Sequence, residues 1–163
     1  MGTASVVFGS VHTGNAPNVI PATAKLRGTF RTPEFDVWEA APSLVEQALE
    51  TIVGPSGAGW SVKHRRGVPP VVNDEAATAV MAAVAAQVVG ADNVVNTPQS
   101  MGGDSFAWYL QKVPGSYARL GVHDPESQQP RLDLHASTFD IDERAVAIGV
   151  RVLALTALAA LDV

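Results

Sequence analysis

The chain of 163 residues contains no cysteine. This absence excludes disulfide bonds, thiolate metal sites and cysteine nucleophiles, and it removes the usual sequence indicator of the redox compartment. Positive charge is also scarce, because the net charge is −5 and the longest basic run is K-H-R-R at residues 63–66. Proteins that bind nucleic acid need clustered Lys and Arg, so no nucleic-acid partner is expected.

Neither a signal peptide nor a membrane span is expected from this sequence. The N-terminus has no basic segment followed by a long apolar run, which argues against a signal peptide. The longest apolar stretch, residues 145–161, is interrupted by Arg151, which argues against a membrane span. We therefore expect a cytoplasmic protein with no membrane partner. The abrupt strand-like start after Met1 is more typical of a piece of a longer chain than of a natural beginning.

The remaining composition is that of a globular protein. Hydrophobic residues make up 47% of the chain and charged residues 17%, with 14 Gly and 11 Pro to separate the elements. This length allows one good core or two smaller units that share an interface.

Two strands are predicted near the N-terminus, at residues 5–11 and 23–32, as an antiparallel pair across a loop that contains Asn18. The second strand alternates apolar residues with Lys, Arg and Thr, which predicts a half-buried strand with a cationic outer face. The amide of Asn18 and the guanidinium of Arg31 suit recognition of a small carboxylate. Spacing alone favours the alternative, an edge strand with solvated basic residues.

Helical spacing and further short apolar runs predict the remaining elements. We expect helices at 41–53, with Pro42 in the first turn, at 74–89, with Asn73 or Asp74 as cap, and at 145–161, buried on most sides. Asp140 and Glu143 have the spacing of a capping box before the last helix. Further expectations are strands at 60–66 and 116–122, a short amphipathic segment at 106–110, a core segment at 132–134, and a crossing between two units at 67–70.

The four histidines do not form a local metal motif, since none has H-x-H, H-x-x-x-H or H-E-x-x-H spacing. His135 lies between a predicted strand and a predicted helix, from which its side chain can project, although a lone histidine there is more often a core residue. Gly102 and Gly103 could expose backbone N–H donors to a ligand. A tight turn capped by Asp104 or Ser105 explains the same residues equally well.

Four segments, taken in order, resemble the second half of a zinc-dependent metallopeptidase and amidohydrolase family. They are G-N-A-P-N-V-I-P-A-T-A-K-L-R-G-T-F-R-T, G-V-P-P-V-V-N-D, M-G-G-D-S-F-A-W-Y-L-Q-K-V-P-G-S-Y-A-R-L-G and L-H-A-S-T-F-D-I-D-E. The family includes aminoacylases, hippurate and auxin-conjugate amidohydrolases, glutamate carboxypeptidase and succinyl-diaminopimelate desuccinylase. The branch that acts on N-acyl amino acids is the most similar.

The resemblance implies roles for four residues. Asn18 and Arg31 match positions that hold the substrate carboxylate and scissile carbonyl, Gly103 matches a glycine whose backbone approaches the carboxylate, and His135 matches a ligand to one of two metal ions. Zinc is the expected metal in the full-length enzyme. The substrate would be an N-acyl amino acid or a related peptide-like amide, cleaved next to a free carboxylate. Asp104-Ser105 departs from the family's Glu-Asp, and His12 matches a variable position, so neither Asp104 nor His12 receives a role.

The resemblance also implies an α/β (α+β) fold in two parts. Residues 1–67 would be the latter part of a lid or dimerisation domain, an antiparallel sheet with a helix, through which the enzyme forms a homodimer. Residues 70–163 would be the C-terminal part of the catalytic domain. The other metal ligands, the general-base glutamate and the lid histidine of the family have no match. No catalytic residue is therefore assigned in this chain, and we expect the fragment alone to be inactive and to bind no metal stably.

Two alternatives belong to other functional classes. The chain could be a noncatalytic dimerisation or binding module, as its lid-like first 67 residues allow. It could also be a complete binder of small carboxylates that uses Asn18 and Arg31.

Overall fold

The computed structural model describes residues 3–128 and 130–161, and within them two compact units. The first unit contains the described residues up to Val71 together with Gln99–Trp108. The second contains Val72–Pro98 and the described residues from Tyr109 onward. Residues 99–108 therefore pack with the N-terminal part of the chain. The assignment of a lid part and a catalytic part remains a prediction.

The first unit contains an antiparallel pair of strands, β1 (Ser5–Thr13) and β2 (Ala24–Arg31), which confirms the predicted hairpin. Ser5 pairs with Arg31 at one end of the ladder, and Thr13 pairs with Ala24 at the other. A β-bulge between Phe8 and Ser10 shifts the register. The prediction of a half-buried β2 is wrong, because of its residues only Phe30 is partly buried. Two strands alone have no second layer to cover their apolar side.

Helix α1 (Phe35–Val53) follows β2 and continues into a 3₁₀ turn at Gly54–Ser56. It starts before the predicted residue 41, so Pro42 lies inside the helix and not in its first turn. The extra turns carry Phe35 and Trp38, whose ring centroids are 5.5 Å apart. Trp38 also contacts Trp108 edge-on at 5.9 Å, and the Arg66 guanidinium lies 4.8 Å from a Trp38 ring centroid. These aromatic contacts favour the longer helix.

The second unit is built mainly from α2 (Glu75–Val89) and α4 (Arg144–Ala159), which pack against one another. Asp74 caps α2 as predicted, since its side chain accepts a hydrogen bond from the Ala77 N–H at 2.8 Å. Gly90 follows the helix with φ 87°, a backbone conformation suited to glycine. A short helix, α3 (Ala107–Leu110), completes the set of described α-helices.

The start of α4 differs from the predicted capping box. The residue at the cap position is Glu143, which makes no side-chain cap hydrogen bond. Among the described residues, Asp140 accepts from its neighbour Ile141 alone, whereas Asp142 accepts from the Arg144 N–H at 2.9 Å. The Asp142 carboxylate therefore accepts the N–H at the start of α4, in place of the predicted capping box of Asp140 and Glu143.

Neither 60–66 nor 116–122 forms a strand in the described structure. A strand requires a neighbouring backbone at ladder distance, which periodicity cannot supply. Residue 117 instead pairs with a side chain: Asn73 Nδ2 donates to the Tyr117 carbonyl and Asn73 Oδ1 accepts from the Tyr117 N–H, both at 2.9 Å. The Asp74 N–H donates to the Gly115 carbonyl at 2.9 Å. The Asn73 side chain thus supplies the hydrogen bonds that a neighbouring strand would otherwise give to the main chain of residue 117.

Few apolar side chains are buried. The buried hydrophobic residues of the described chain are Ala41, Val84, Ala107 and Ala145, and Pro69 is fully enclosed. The predicted burial of the last helix is wrong, since Leu153 is 65% exposed, and so is the predicted core segment at 132–134, since Leu134 is 67% exposed. No described helix or strand covers these exposed side chains. The mixture of a small antiparallel sheet with helices confirms the α/β (α+β) fold class. None of the described helices is long and apolar enough to cross a membrane.

Candidate functional site

Arg31 is the last residue of β2, where pairing with Ser5 fixes its backbone. Its side chain is exposed at the end of the ladder and donates through Nη1 to the main-chain oxygen of Met101 at 2.7 Å. The two residues lie 70 positions apart in the sequence. The structure therefore brings together β2 and the glycine-containing loop, which the sequence indicates as two separate candidate sites.

The glycine loop (residues 100–104) is held by several contacts within the first unit. Ser100 Oγ accepts from the Gly102 N–H at 3.0 Å, and Asp104 Oδ1 accepts from the Phe106 N–H at 2.8 Å. At Gly103 there is no room for a side chain, because a Cβ would lie 2.7 Å from Val68 Cγ2. Asp104 therefore forms the cap-like turn before α3, and the loop approaches Val68 as only glycine can.

Asn18 lies in the exposed loop between β1 and β2, in the same unit as Arg31. Its side-chain amide makes no hydrogen bond to any residue that the structure describes, and no contact joins it to Arg31. The neighbouring Ile20 is 94% exposed. The structure thus leaves the amide of Asn18 available to a ligand, and its predicted role remains a prediction.

His135 belongs to the second unit, in a turn in which the Ala136 N–H donates to the Asp133 carbonyl at 2.9 Å. The residue is exposed, so its imidazole is accessible to a metal ion or another ligand. No group of three or more His, Cys, Asp or Glu suited to hold a metal occurs among residues 3–128 and 130–161. His135 can therefore serve as one ligand, but the described chain does not complete a site around it.

An ion-pair cluster precedes α4 in the second unit. Arg144 Nη2 lies 2.8 Å from Asp124 Oδ1 and 2.6 Å from Asp142 Oδ2. The hydrogen bond from Arg144 lowers the pKa of Asp142 below its ordinary value of 3.8, and the two carboxylates raise the pKa of Arg144. The Asp142 N–H also donates to the Val122 carbonyl at 2.8 Å. The cluster thus connects the segment at 122–124 to the start of α4.

Sequence reasoning missed two contributors to the site in the first unit. The Met101 main-chain oxygen binds Arg31, and the Val68 side chain fills the space beside Gly103. A main-chain acceptor has no side-chain signature, so no sequence signal could have found Met101. Val68 lies in the G-V-P-P segment, which the sequence marks as a crossing between units and as part of the family resemblance, with no role for Val68 itself.

Comparison with known proteins assigns the family. Residues 5–159 match the model of peptidase family M20/M25/M40. The Rhodococcus jostii protein named "Putative glutamate–cysteine ligase 2-3" is 42% identical over 158 residues, which cover 96% of this chain and 20% of that protein. The N-acetyl-L-cysteine deacetylase of Bacillus subtilis is 32% identical, over 88% of this chain and 33% of that enzyme.

A solved structure agrees with these sequence matches. The Bacillus subtilis YXEP protein, described as a dinuclear metal binding peptidase from M20 family, superposes with a TM-score of 0.81. The identity is 28%, over 98% of this chain and 42% of that one. The chain thus spans between about a fifth and two fifths of the length of these relatives. Because the family model covers nearly all of the sequence, this chain belongs to peptidase family M20/M25/M40.

Proposed function

We propose that this chain supplies the carboxylate-binding wall and one metal ligand of a metal-dependent amidohydrolase or peptidase. The substrate would be an N-acyl amino acid or a related amide next to a free carboxylate. Family membership supports this proposal, as does the name of the relative that deacetylates N-acetyl-L-cysteine. The observation that carries it is the hydrogen bond that joins Arg31 to the glycine loop, because a cationic fork and a glycine backbone meet there.

Each residue has a chemical task in this proposal. Arg31 would bind the substrate carboxylate, since a guanidinium matches two carboxylate oxygens. The Gly103 N–H would donate to the same end of the substrate, and Asn18 would orient the amide carbonyl. His135 would be a ligand, because an exposed neutral imidazole is a common ligand of zinc and other divalent ions. Two bound divalent ions would supply polarisation of the amide carbonyl and an activated water.

The chain by itself would be inactive and would hold no stable metal pair. Catalytic zinc usually needs three protein ligands, and no group of three or more His, Cys, Asp or Glu that could hold a metal occurs in the part of the chain that the structure describes. We propose that further family segments supply the remaining ligands, that the enzyme acts in the cytoplasm, and that it forms a homodimer through residues 1–67. The exposed apolar side chains of β1, such as Val7 at 60%, support the dimer proposal.

A complementation assay tests the proposal. The isolated chain, supplied with Zn²⁺, should not hydrolyse hippurate or N-acetyl-L-cysteine. The same chain joined to the N-terminal two thirds of the deacetylase relative should hydrolyse one of them, and His135→Ala should abolish that activity. Hydrolysis by the isolated chain would contradict the inactivity claim. Full activity of the joined His135→Ala variant would contradict the ligand role, and the His64→Ala variant is the matched control.

A second function is a noncatalytic module that binds small carboxylates. The absence of a metal-binding cluster from the described residues favours it, as does the accessible Arg31. Calorimetry with N-acyl amino acids discriminates the two functions. The module requires that the isolated chain bind them and that Arg31→Ala abolish binding, and the absence of heat from both proteins would end this alternative.

A further inference from the structure

Arg31 has more hydrogen-bonding capacity than its contact with Met101 uses. A guanidinium carries five N–H donors in a planar arrangement. Its Nη1 donates to the Met101 oxygen at 2.7 Å, and no other side-chain hydrogen bond joins Arg31 to a residue that the structure describes. The Nε–H and one Nη2–H point in the same direction and form a two-donor fork. That fork remains available while Nη1 holds the loop.

This contact joins the glycine loop to the end of β2. Ser100 fixes Gly102 from within the loop, and Asp104 fixes the turn that follows. The neighbourhood of Val68 and Gly103 is steric and contributes no hydrogen bond, since a Cβ on Gly103 would lie 2.7 Å from Val68 Cγ2. The Arg31 hydrogen bond is a polar link between this loop and the end of the β1–β2 ladder, where Arg31 pairs with Ser5.

The Gly103 N–H is the second donor of interest. It has no acceptor among residues 3–128 and 130–161, whereas the Gly102 N–H is satisfied by Ser100. An unpaired main-chain N–H next to an ordered arginine suits an anion. Met101 connects the two donors, because its main-chain oxygen accepts from Arg31 and it lies two residues before Gly103. It therefore sets the distance between the guanidinium and the Gly103 N–H.

We propose that Arg31 is a positioning residue for the glycine loop in addition to its role toward substrate. Its Nη1 donor holds Met101, so that Gly103 keeps a fixed position relative to the free Nε–Nη2 fork. The value of this arrangement for substrate binding rests on the proposed function, but the loop-holding role does not. A donor pair fixed before binding avoids the entropy cost of ordering the loop around the ligand.

Backbone NMR relaxation of the 163-residue chain without ligand or metal tests the loop-holding role. In the wild type, the order parameters of Gly102 and Gly103 should be near the rigid value of about 0.85. In Arg31→Gln they should fall below about 0.6, the flexible range. Arg31→Lys should loosen the loop as well, because the lysine ammonium is one bond closer to the backbone and lacks the planar donor arrangement of a guanidinium. Arg27→Gln, on the same face of β2, should leave the loop unchanged.

Unchanged order parameters at both glycines in Arg31→Gln and Arg31→Lys would overturn the proposal. Unchanged β1–β2 amide shifts in the variants establish that the ladder is intact. A separate titration with hippurate and with its carboxamide analogue tests the proposed function. A wild type that shows no preference for hippurate would count against carboxylate recognition, while the relaxation result would still decide the role of Arg31 in holding the loop.

Discussion

Gly103 has a close neighbour that decides which substitutions the loop accepts. A Cβ at this position would lie 2.7 Å from Val68 Cγ2, whereas a Cβ at Gly67 would meet nothing within 4 Å. Neither glycine has a positive φ, so added volume is the relevant difference between them. The two positions therefore form a matched pair for a test of steric fit.

We predict that Gly103→Ala lowers the free energy of unfolding by about 1–3 kcal/mol, the usual cost of inserting a methyl group into occupied space. Gly67→Ala should be neutral or slightly stabilising. Val68→Ala combined with Gly103→Ala should recover part of the loss, because it removes the opposing methyl group. Urea unfolding of the wild type, the two glycine variants, Val68→Ala and the double variant measures this, and additive effects of Val68→Ala and Gly103→Ala would contradict the steric explanation.

The ion-pair cluster at Arg144 predicts a dependence on pH. The pKa of Asp142 is lowered below 3.8 in the folded chain, so its contribution to stability is present above that value and is lost as the pH falls through the folded pKa. In Arg144→Gln the pKa of Asp142, measured by carboxyl NMR titration, should return toward 3.8. Arg151→Gln, on the same helix, should not change it. An unaltered Asp142 titration in Arg144→Gln would contradict the assignment.

The hydrogen bond between Arg31 and Met101 could not be predicted from the sequence. The cationic face of β2 and the two glycines were each visible as patterns, and both were selected. Their contact depends on a fold that brings together residues 70 positions apart and on a main-chain acceptor. The exposed Asn18 and His135 stand out only modestly by position and residue type, and their specific roles are implied by the family resemblance.

At the scale of elements, the two helix starts of the second unit differ in their capping. Asp74 accepts from the Ala77 N–H at 2.8 Å and caps α2, whereas Asp140 accepts only from the adjacent Ile141. Both aspartates were predicted caps. Only the first reaches an N–H group inside a helical turn.

Asp74→Ala should therefore destabilise the chain by about 1 kcal/mol, the typical cost of removing an N-cap. Asp140→Ala should change stability by less than about 0.5 kcal/mol, as expected for an exposed position outside the cap. Thermal unfolding followed by circular dichroism provides the measurement. Equal losses in the two variants would show that the cap geometry does not control the stability of α2.

Helices and strands that depend on contacts close in sequence were predicted well, and those that depend on distant contacts were not. The β1–β2 hairpin and α2 were predicted well because their periodicity, turns and cap are local in sequence. The segments at 60–66 and 116–122 were predicted wrongly, because a strand depends on a partner elsewhere in the chain. The start of α1 was missed because Pro42 is tolerated inside the helix while Phe35 and Trp38 pack in its first turns.

For the whole molecule, the exposed surface is large for its mass. The chain of 17.0 kDa exposes 12930 Å². A folded monomer of this mass would expose about 7,700 Å², and two separate folded units of half the mass about 9,300 Å² in total. On α4, Val150 and Leu153 are 62% and 65% exposed. The excess of exposed surface over that of a folded monomer agrees with a chain that spans 42% of the solved relative.

Beyond the dimer proposed through residues 1–67, the isolated chain should therefore assemble further through the apolar face of α4. Val150→Lys combined with Leu153→Lys should reduce association by at least about tenfold, because charged side chains resist burial. The matched control places two lysines on the polar face of α1, as Ser43→Lys and Gln47→Lys, and should leave association unchanged. Sedimentation velocity measures both pairs, and a strictly monomeric wild type would contradict the expectation.

The central claim is that this family member contributes His135 and a carboxylate-binding wall to a metal site that it does not complete. The most direct test is the metal content of the isolated chain after dialysis against Zn²⁺ and then against metal-free buffer. We expect less than one zinc ion to be retained per chain, with no difference between the wild type and His135→Ala. Two ions retained per wild-type chain and lost in His135→Ala would contradict it.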